Sequence, residues 1–520
     1  MTSATEQQLA GPLSAAVADL CATLRPQVGE ATAAGLREVL RRLSAPLQVV
    51  VAGRLSSGKS TLVNALIGRR VAPTGVGECT RLVTRFQYGT VDRVEVVCRD
   101  GRRQALPFDA DGMIPASLGV DPAEVSHLEA YLTNAVLRDL TVIDTPGLGS
   151  LDDASVARAE SVLGAGRHRK PDAGGAAEEL DAVSASAVAG AEAVLYVVTQ
   201  AVRADDRQVL AAFSAATAGR EAGPVNAIAV LNKADTVAPE SVEGAGGDVW
   251  RAAELLAEKQ FRVLKPRVAA VLPVVGLLAE TTETGTFTAA DAEALRELAA
   301  LEPTVRDTML VSADLFTAWD APVPPATRNR LLERLDLHGI RCALAALDGE
   351  PDLTAGALHR RLLAASGLAE LRALLERVFR ARADGIKAAA ALASITALAQ
   401  DSGDPGERGR VHDAIEALLA KPEAHQLRLL EALTLVSSGA VTMPDDLAEE
   451  VLRVGTAADV AEQLGLPGRP VHDLAGYALE RAGWWRSFAS FGATPAQSRV
   501  AHVVHRAYFL IWQRLNEQSP

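Results

Sequence analysis

Cysteine, lysine, aromatic residues and long apolar runs are all scarce in this chain of 520 residues, and each scarcity closes off a class of protein. The four cysteines, Cys21, Cys79, Cys98 and Cys342, are scattered with no C-x-x-C pair. That argues against a zinc site or a disulfide framework and fits a reducing cytoplasm. The longest weakly polar stretch, 388–399, is twelve residues of mostly alanine, too short to cross a bilayer. Met1 to Ala10 carry no basic stretch followed by an apolar core, so no secretory signal is expected. Basic charge is also in deficit: the formal net charge is −13, which disfavours a nucleic-acid-binding surface. What is plentiful is apolar side chain, 48% of the total, enough for more than one core. Length sets a prior of about three domains. A globular protein is expected, cytoplasmic and either soluble or peripheral to a membrane.

Seven Lys stand against 45 Arg, and two of the seven, Lys59 and Lys233, fall inside short motifs. A lysine is a compact point charge that the arginine fork does not replace. Gly53-Arg54-Leu55-Ser56-Ser57-Gly58-Lys59-Ser60 fits G-x-x-x-x-G-K-S, follows the apolar run 47–52, and precedes the helical Thr61–Ile67. Strand, glycine loop and helix are what a phosphate cradle requires: backbone N–H groups and the helix N-terminus face the anion, and Lys59 reaches the β- and γ-phosphates. Ser60 offers a hydroxyl to Mg²⁺. Asp144-Thr145-Pro146-Gly147 follows the apolar 140–143. This D-x-x-G pattern puts a carboxylate near the metal and a glycine N–H near the γ-phosphate. Asn232-Lys233-Ala234-Asp235 follows the apolar 227–231. There Asp235 accepts two N–H bonds from a guanine edge, which adenine does not supply, and Lys233 lies over the ring. All three motifs sit at strand carboxyl ends, where open α/β sheets bind ligands. The nucleotide expected is GTP with Mg²⁺, and the fold expected around it is an α/β P-loop GTPase domain with a mostly parallel sheet and helices on both faces.

Outside the motifs the chain divides by period. Residues 1–46 read as helix, with Leu13, Val17, Leu20, Leu24 and Leu36, Val39, Leu40, Leu43 at three- and four-residue spacing. Strands are expected at 47–52, 83–88, 93–98, 140–144, 193–198, 226–231 and 270–275. Residues 163–178 read as a loop; its basic run Arg167–Lys170 is either solvated or a membrane or partner contact. From about 286 almost every segment has helical period, broken by prolines such as Pro303, Pro351, Pro405 and Pro444. The end of the chain gathers Trp484, Trp485, Phe488 and Phe491 ahead of a last helix with Val500, Val504, Ala507, Tyr508 and Ile511 on one face. These aromatics, in 483–512, are either a packing corner or an interfacial membrane contact. The apolar 433–443 is either a lipid-contacting tip or a buried helix end. His502 and His505 read as ordinary helix residues, since no further ligand accompanies them at metal spacing.

Ser56–Ser60, Thr80-Arg81-Leu82-Val83-Thr84, Asp144–Gly147 and Asn232–Asp235 together resemble the dynamin-type GTPases. Gly53 to Thr84, with Ala72-Pro73-Thr74 and Glu78-Cys79-Thr80-Arg81, is most similar to the actinobacterial isoniazid-inducible and sporulation-division dynamin-like proteins. The resemblance implies N-terminal neck helices over 1–46, a GTPase domain over 47–285, and an all-α neck and trunk over 286–520. It implies nucleotide contacts from Gly53, Ser56, Ser57, Gly58, Lys59, Ser60, Thr61, Asn232, Lys233 and Asp235. Metal contacts are implied for Ser60, Thr80 and Asp144, and catalytic work for Ser56, Lys59, Thr80 and Gly147. Thr80 matches the switch-I threonine, with Thr84 as the alternative register; the guanine-specificity loop would fall near Pro273–Gly276. Heads of the family pair across their nucleotide faces, so the implied partners are a second copy or a second dynamin-like protein, and a lipid membrane met peripherally at the cytoplasmic face. One departure stands out: where many members have a water-positioning Gln, this chain has Leu55. Hydrolysis then relies on backbone groups of Gly147 or Thr80 or on a partner's residue, or else is slow. Arg54 is either a charge stabiliser across the dimer or a plain surface arginine. The competing readings are a scaffold GTP-binding protein that never deforms lipid and a ribosome-assembly GTPase, the second disfavoured by the acidic charge.

Overall fold

The computed structural model describes residues 9–73, 82–146, 191–202, 206–207, 210, 226–264, 267–379, 382–421, 424–437, 441–456 and 459–517. A nine-stranded sheet organises the N-terminal half. Its strands are β1 (Leu47–Gly53), β2 (Thr84–Tyr88), β3 (Arg93–Cys98), β4 (Arg103–Leu106), β5 (Val125–Leu132), β6 (Leu140–Asp144), β7 (Ala193–Val198), β8 (Ala227–Asn232) and β9 (Val271–Val274). They lie in the order β4-β3-β5-β2-β6-β1-β7-β8-β9. β6, β1, β7, β8 and β9 run parallel. β2 turns antiparallel against β6 and carries β5, β3 and β4 as an outer extension.

The central strands form because they are apolar without interruption. Every residue of β7 and β8 is buried, as parallel strands covered on both faces require. Successive side chains alternate between faces. Val50, Ala52, Ile143, Val194 and Tyr196 enter one core together with helices Val249–Leu264, Ala289–Ala299 and Pro325–Gly349. Val49, Val51, Val142, Leu195 and Val197 enter the other with helices Lys59–Ile67 and Leu368–Val378. Helical chain from 289 to 378 is therefore packed on the sheet, beyond the end of the 47–285 segment expected to form the head.

β4 and β5 were not foreseen. β4 is a short outermost strand with no buried residue. β5 mixes apolar and polar residues, and its Glu129 is buried only because Arg103 Nη1 and Tyr131 Oη donate to it at 2.9 and 2.8 Å.

A second layer of cores is purely helical. Helices Pro12–Leu24 and Glu30–Leu43 pack on Ala383–Asp401 and Pro405–Leu419. The alanines at 388, 389 and 391 let the helices approach closely, and Gly35 does the same: a Cβ there would lie 2.4 Å from Leu398 Cδ2. The two N-terminal helices are capped by distant carboxylates. Asp384 accepts from the N–H groups of Leu13 and Ser14 at 2.9 and 2.8 Å, and Glu407 accepts from that of Gly29 at 2.8 Å. Beyond this group, helices His425–Ser437, Asp445–Thr456, Val471–Phe491 and Pro495–Glu517 enclose a third core around buried Trp485. Gln497 Nε2 donates to the Thr442 carbonyl at 2.7 Å, so the segments 441–444 and 492–495 share one end of that bundle. Among the described residues no helix is long and apolar enough to cross a membrane.

Candidate functional site

The parallel run of strands brings the carboxyl ends of β1, β6 and β8 to one edge, and the three sequence motifs with them. The loop after β1 bends through positive φ at Gly53, Ser56 and Gly58. A side chain at Gly58 would put Cβ 2.3 Å from Asn232 Nδ2, and one at Gly53 would meet the Val197 carbonyl at 2.4 Å. Glycine is required at both by space and by backbone angle. Helix Lys59–Ile67 starts at the loop's end, with its first N–H groups and positive dipole end facing the edge.

Lys59 is buried, and its Nζ donates to the Arg54 carbonyl at 2.9 Å. Burial lowers its pKa and the Asp144 carboxylate offsets part of that. Ser60 Oγ donates to Asp144 Oδ2 at 2.7 Å. Burial pushes the Asp144 carboxyl up to about 6, against the pull of Ser60 and Lys59. Its Oδ1 is buried with no hydrogen-bond partner among the described residues. A buried, destabilised carboxylate oxygen beside a serine hydroxyl fits a hard divalent cation such as Mg²⁺. That ion takes one or two protein oxygens and completes its shell with phosphate and water. Thr145 Oγ1 donates to the Val51 carbonyl at 2.9 Å, tying the end of β6 to β1.

Asn232 does more than the motif suggested. Its Nδ2 donates to the Ser57 carbonyl at 2.8 Å, and its Oδ1 accepts from Gly276 N at 3.0 Å. One side chain thus joins the phosphate loop, β8 and the start of helix Gly276–Glu283. This also brings the weakly matching Pro273–Gly276 segment beside the base motif. Lys233 takes a left-handed conformation at φ 57° and opens a short 3-10 turn over Ala234–Thr236, leaving its own side chain exposed. Asp235 is partly buried, and burial raises its pKa while His338 opposes the shift.

Ser56 and Leu55 sit on the outer lip of the loop, Leu55 at 76% exposure. Thr84 is buried at the start of β2, its Cα opposite that of Asp144 across the antiparallel ladder. Thr80, Gly147 and the 163–178 loop lie outside the described residues. Of the two histidines on the last helix, His505 Nδ1 bonds the Ala482 carbonyl at 2.8 Å, a contact between neighbouring helices. Of the two segments weighed for lipid contact, 433–443 is buried at Leu433, Val436, Val441 and Met443. The aromatic segment divides: Trp485 is fully buried, whereas Phe491 is 94% exposed.

Residues 49–234 match the profile of the Dynamin family. The isoniazid-induced protein IniC of Mycobacterium tuberculosis is 34% identical over 458 residues, covering 86% of this chain and 86% of that protein. A bacterial dynamin-like protein of Nostoc punctiforme is 30% identical over 133 residues, 22% of this chain and 18% of its own. Among solved structures, a chain from an oligomerised bacterial dynamin pair aligns over 96% of this one and 90% of itself at 12% identity, with a TM-score of 0.33.

Proposed function

The chain belongs to the dynamin family, a family of GTPases, and from that premise we propose that it binds GTP with Mg²⁺, hydrolyses it, and couples pairing of its heads to motion of a helical stalk on a membrane. The observation that carries the reading is the meeting of three motifs at one sheet edge, where Ser60 bonds Asp144 and both Lys59 and Asn232 bond carbonyls of the phosphate loop. The loop N–H groups and Lys59 would hold the phosphates, Lys59 leaving the Arg54 carbonyl for them. Ser60 and Asp144 would hold the ion, whose chemistry is to neutralise charge developing on the phosphate oxygens. Asp235 would accept the guanine N–H donors, with Lys233 over the ring. Thr80 and Gly147 are assigned to switch I and the γ-phosphate by resemblance.

The packing supports a head whose cores draw on Leu47 to Phe379 and Ile386, a neck whose core draws on 9–43 and 388–427, and a trunk whose core draws on 429–515. For the membrane, the exposed turn at Phe491 is the better candidate. Trp484 stacks on Phe488 beside it at 5.5 Å between centroids. Arg486 and Arg499, both exposed, flank that end of the bundle with no Asp or Glu between 481 and 516, so an anionic surface is attracted locally although the whole chain is acidic. The cytoplasmic face of the plasma membrane, in envelope maintenance or division, fits the family resemblance.

Titration with fluorescent GTP and ATP analogues, wild type against Lys59→Ala, tests the nucleotide half. Comparable affinity for ATP, or Lys59→Ala hydrolysing at the wild-type rate, would sink it. Co-sedimentation with anionic liposomes tests the membrane half; failure to sediment, with GTP binding intact, would favour a scaffold GTPase.

A further inference from the structure

We infer that a cavity on the face of the sheet covered by helices Lys59–Ile67 and Leu368–Val378 is a binding site for an uncharged aliphatic chain. The cavity measures about 420 Å³, within the roughly 300–1,000 Å³ of small-molecule pockets. Its floor is the sheet itself: Val49 and Val51 of β1, Val142 of β6 and Leu195 of β7. Leu66 and Leu375 supply walls from the two helices. All six side chains are buried. The inference does not depend on the nucleotide assigned above.

The mouth lies away from the nucleotide edge. Val136, Asp139 and Glu376 also line the cavity and are exposed. The Asp139 carbonyl accepts from the N–H of Leu47, the first residue of β1, at 3.2 Å. The opening therefore faces the amino ends of strands whose carboxyl ends carry the motifs. The gap stays open because a long side chain on its wall is drawn aside. Arg372 donates to both carboxylate oxygens of Glu283 at 2.7 and 2.8 Å, and to the Ala65 carbonyl at 3.2 Å. These bonds tie helix Leu368–Val378 to the end of helix Lys59–Ile67 and keep the guanidinium from folding inward.

Native interiors hold few voids larger than a water molecule. Water settles in such a space only where several polar groups meet it, and the floor and walls here are Val and Leu side chains. An apolar guest supplies the contacts that the lining otherwise lacks. The rim sets the class of guest. Arg372 is committed to Glu283, and Asp139 and Glu376 are themselves engaged. The described lining residues thus offer no spare charge to an ionic headgroup, and no aromatic ring on which a planar ligand could stack.

The test titrates the full chain by calorimetry with butanol, hexanol and octanol, then with octanoate and octylamine. Affinity is expected to rise about fourfold per methylene, the effect of one buried CH₂, and octanol to bind more tightly than either charged analogue. Val142→Phe, which fills the floor, is expected to weaken octanol about fifteenfold, the equivalent of two displaced methylenes. Should that variant not fold, Val136→Trp at the exposed rim narrows the mouth and should weaken octanol as well. Failure of octanol to bind, unchanged affinity in the folded variant, or tighter binding of octanoate or octylamine overturns the inference. Saturating GDP should leave octanol binding in place; competition would put the alcohol in the nucleotide site and overturn it too. A free amphiphile and the acyl chain of a lipid share this chemistry. Monomeric dihexanoyl phosphatidylcholine separates them: binding that Val142→Phe weakens assigns the site to a lipid chain, and no binding assigns it to the free one.

Discussion

Lys387 Nζ lies 3.3 Å from Glu192 Oε1, and both side chains are almost completely buried. Glu192 precedes β7 and accepts from Gln48 N, at the start of β1, at 2.9 Å; Lys387 also donates to the Arg42 carbonyl at 2.8 Å. Three pieces of chain meet at this pair: the foot of the sheet, the end of the second N-terminal helix, and the long helix Ala383–Asp401. Lys387 also sits favourably at the negative end of helix Glu30–Leu43.

Removing one partner strands the other in a dry site. Lys387→Ala is expected to cost about 3–5 kcal/mol, read as a lower denaturant midpoint. Lys387→Met with Glu192→Gln should recover most of that loss, because neither charge is then left uncompensated. Equal stability of the single and double variants would mean that packing, not charge, holds this joint.

The Asp144 carboxyl, pushed up to about 6 by burial, makes the nucleotide-free protein pH-dependent. Its folded pKa lies above the unfolded value of about 3.9, so its contribution is fully present below pH 4 and is lost as pH rises through 6. The loss amounts to about 2–3 kcal/mol at neutral pH. Without nucleotide, Asp144→Asn should therefore melt at or above the wild-type temperature at pH 7, and the difference should vanish near pH 4. The same variant should lose stabilisation by Mg²⁺ and GDP. A variant less stable than wild type at pH 7 would contradict the burial argument.

Thr84 and Thr80 separate on the same logic. Thr84 is a buried strand residue beside Asp144, so Thr84→Ala should cost about 1 kcal/mol and leave turnover per folded molecule unchanged. Thr80→Ala should leave GDP binding intact and lower turnover. The reverse pattern in steady-state assays and melts would place switch I at Thr84.

How far these features were legible in the sequence depends on whether their cause is local. The glycines at 53 and 58, Lys59, Asp144 and Asn232 stand in short patterns at the ends of apolar runs, so their positions are legible, whereas the contacts that require them, such as Asn232 with Ser57 and Gly276, span the chain. β5 hides because Glu129 is acceptable inside a strand only after Arg103 and Tyr131 are known to face it. The helices of 289–378 show their period but not the surface they cover, so nothing in the sequence says that Leu295, Leu335 and Leu371 pack into the cores on either face of the sheet. The interruption of helix Pro325–Gly349 at Asp336, where φ is 52° and ψ 177°, is invisible, since Arg334-Leu335-Asp336-Leu337-His338 is compatible with an unbroken helix. The contacts that bend it come from Thr281 and Asp291, far back in the chain.

That interruption makes its own prediction. Asp336→Gly removes a conformation costing about 1–3 kcal/mol at a non-glycine residue and gives up one short side-chain bond to Leu337 N. A net gain of about 1 kcal/mol is expected, seen as a raised melting temperature. Asp336→Ala keeps the strain and loses the bond, so it should melt lower than wild type. If glycine and alanine behave alike, the backbone at 336 is not strained.

Association is the last expectation. Leu55, exposed on the lip of the phosphate loop, offers no hydrogen bond to an attacking water. A single head should therefore turn over slowly, because positioning supplies most of the catalysis in phosphoryl transfer. If a second head supplies the missing group, turnover per molecule rises with protein concentration. Leu55→Gln should then raise turnover in dilute solution and reduce that dependence. Lipid is a separate arm. Anionic liposomes raise the local concentration of heads only if the trunk reaches them, and Phe491 stands almost fully exposed where it would do so. Phe491→Asp should abolish the lipid stimulation while leaving the concentration dependence in solution unchanged. Phosphate release measured across protein concentration, with and without liposomes, reads both arms at once. Turnover per molecule that ignores concentration and lipid alike would leave the scaffold reading standing and remove the remodelling one.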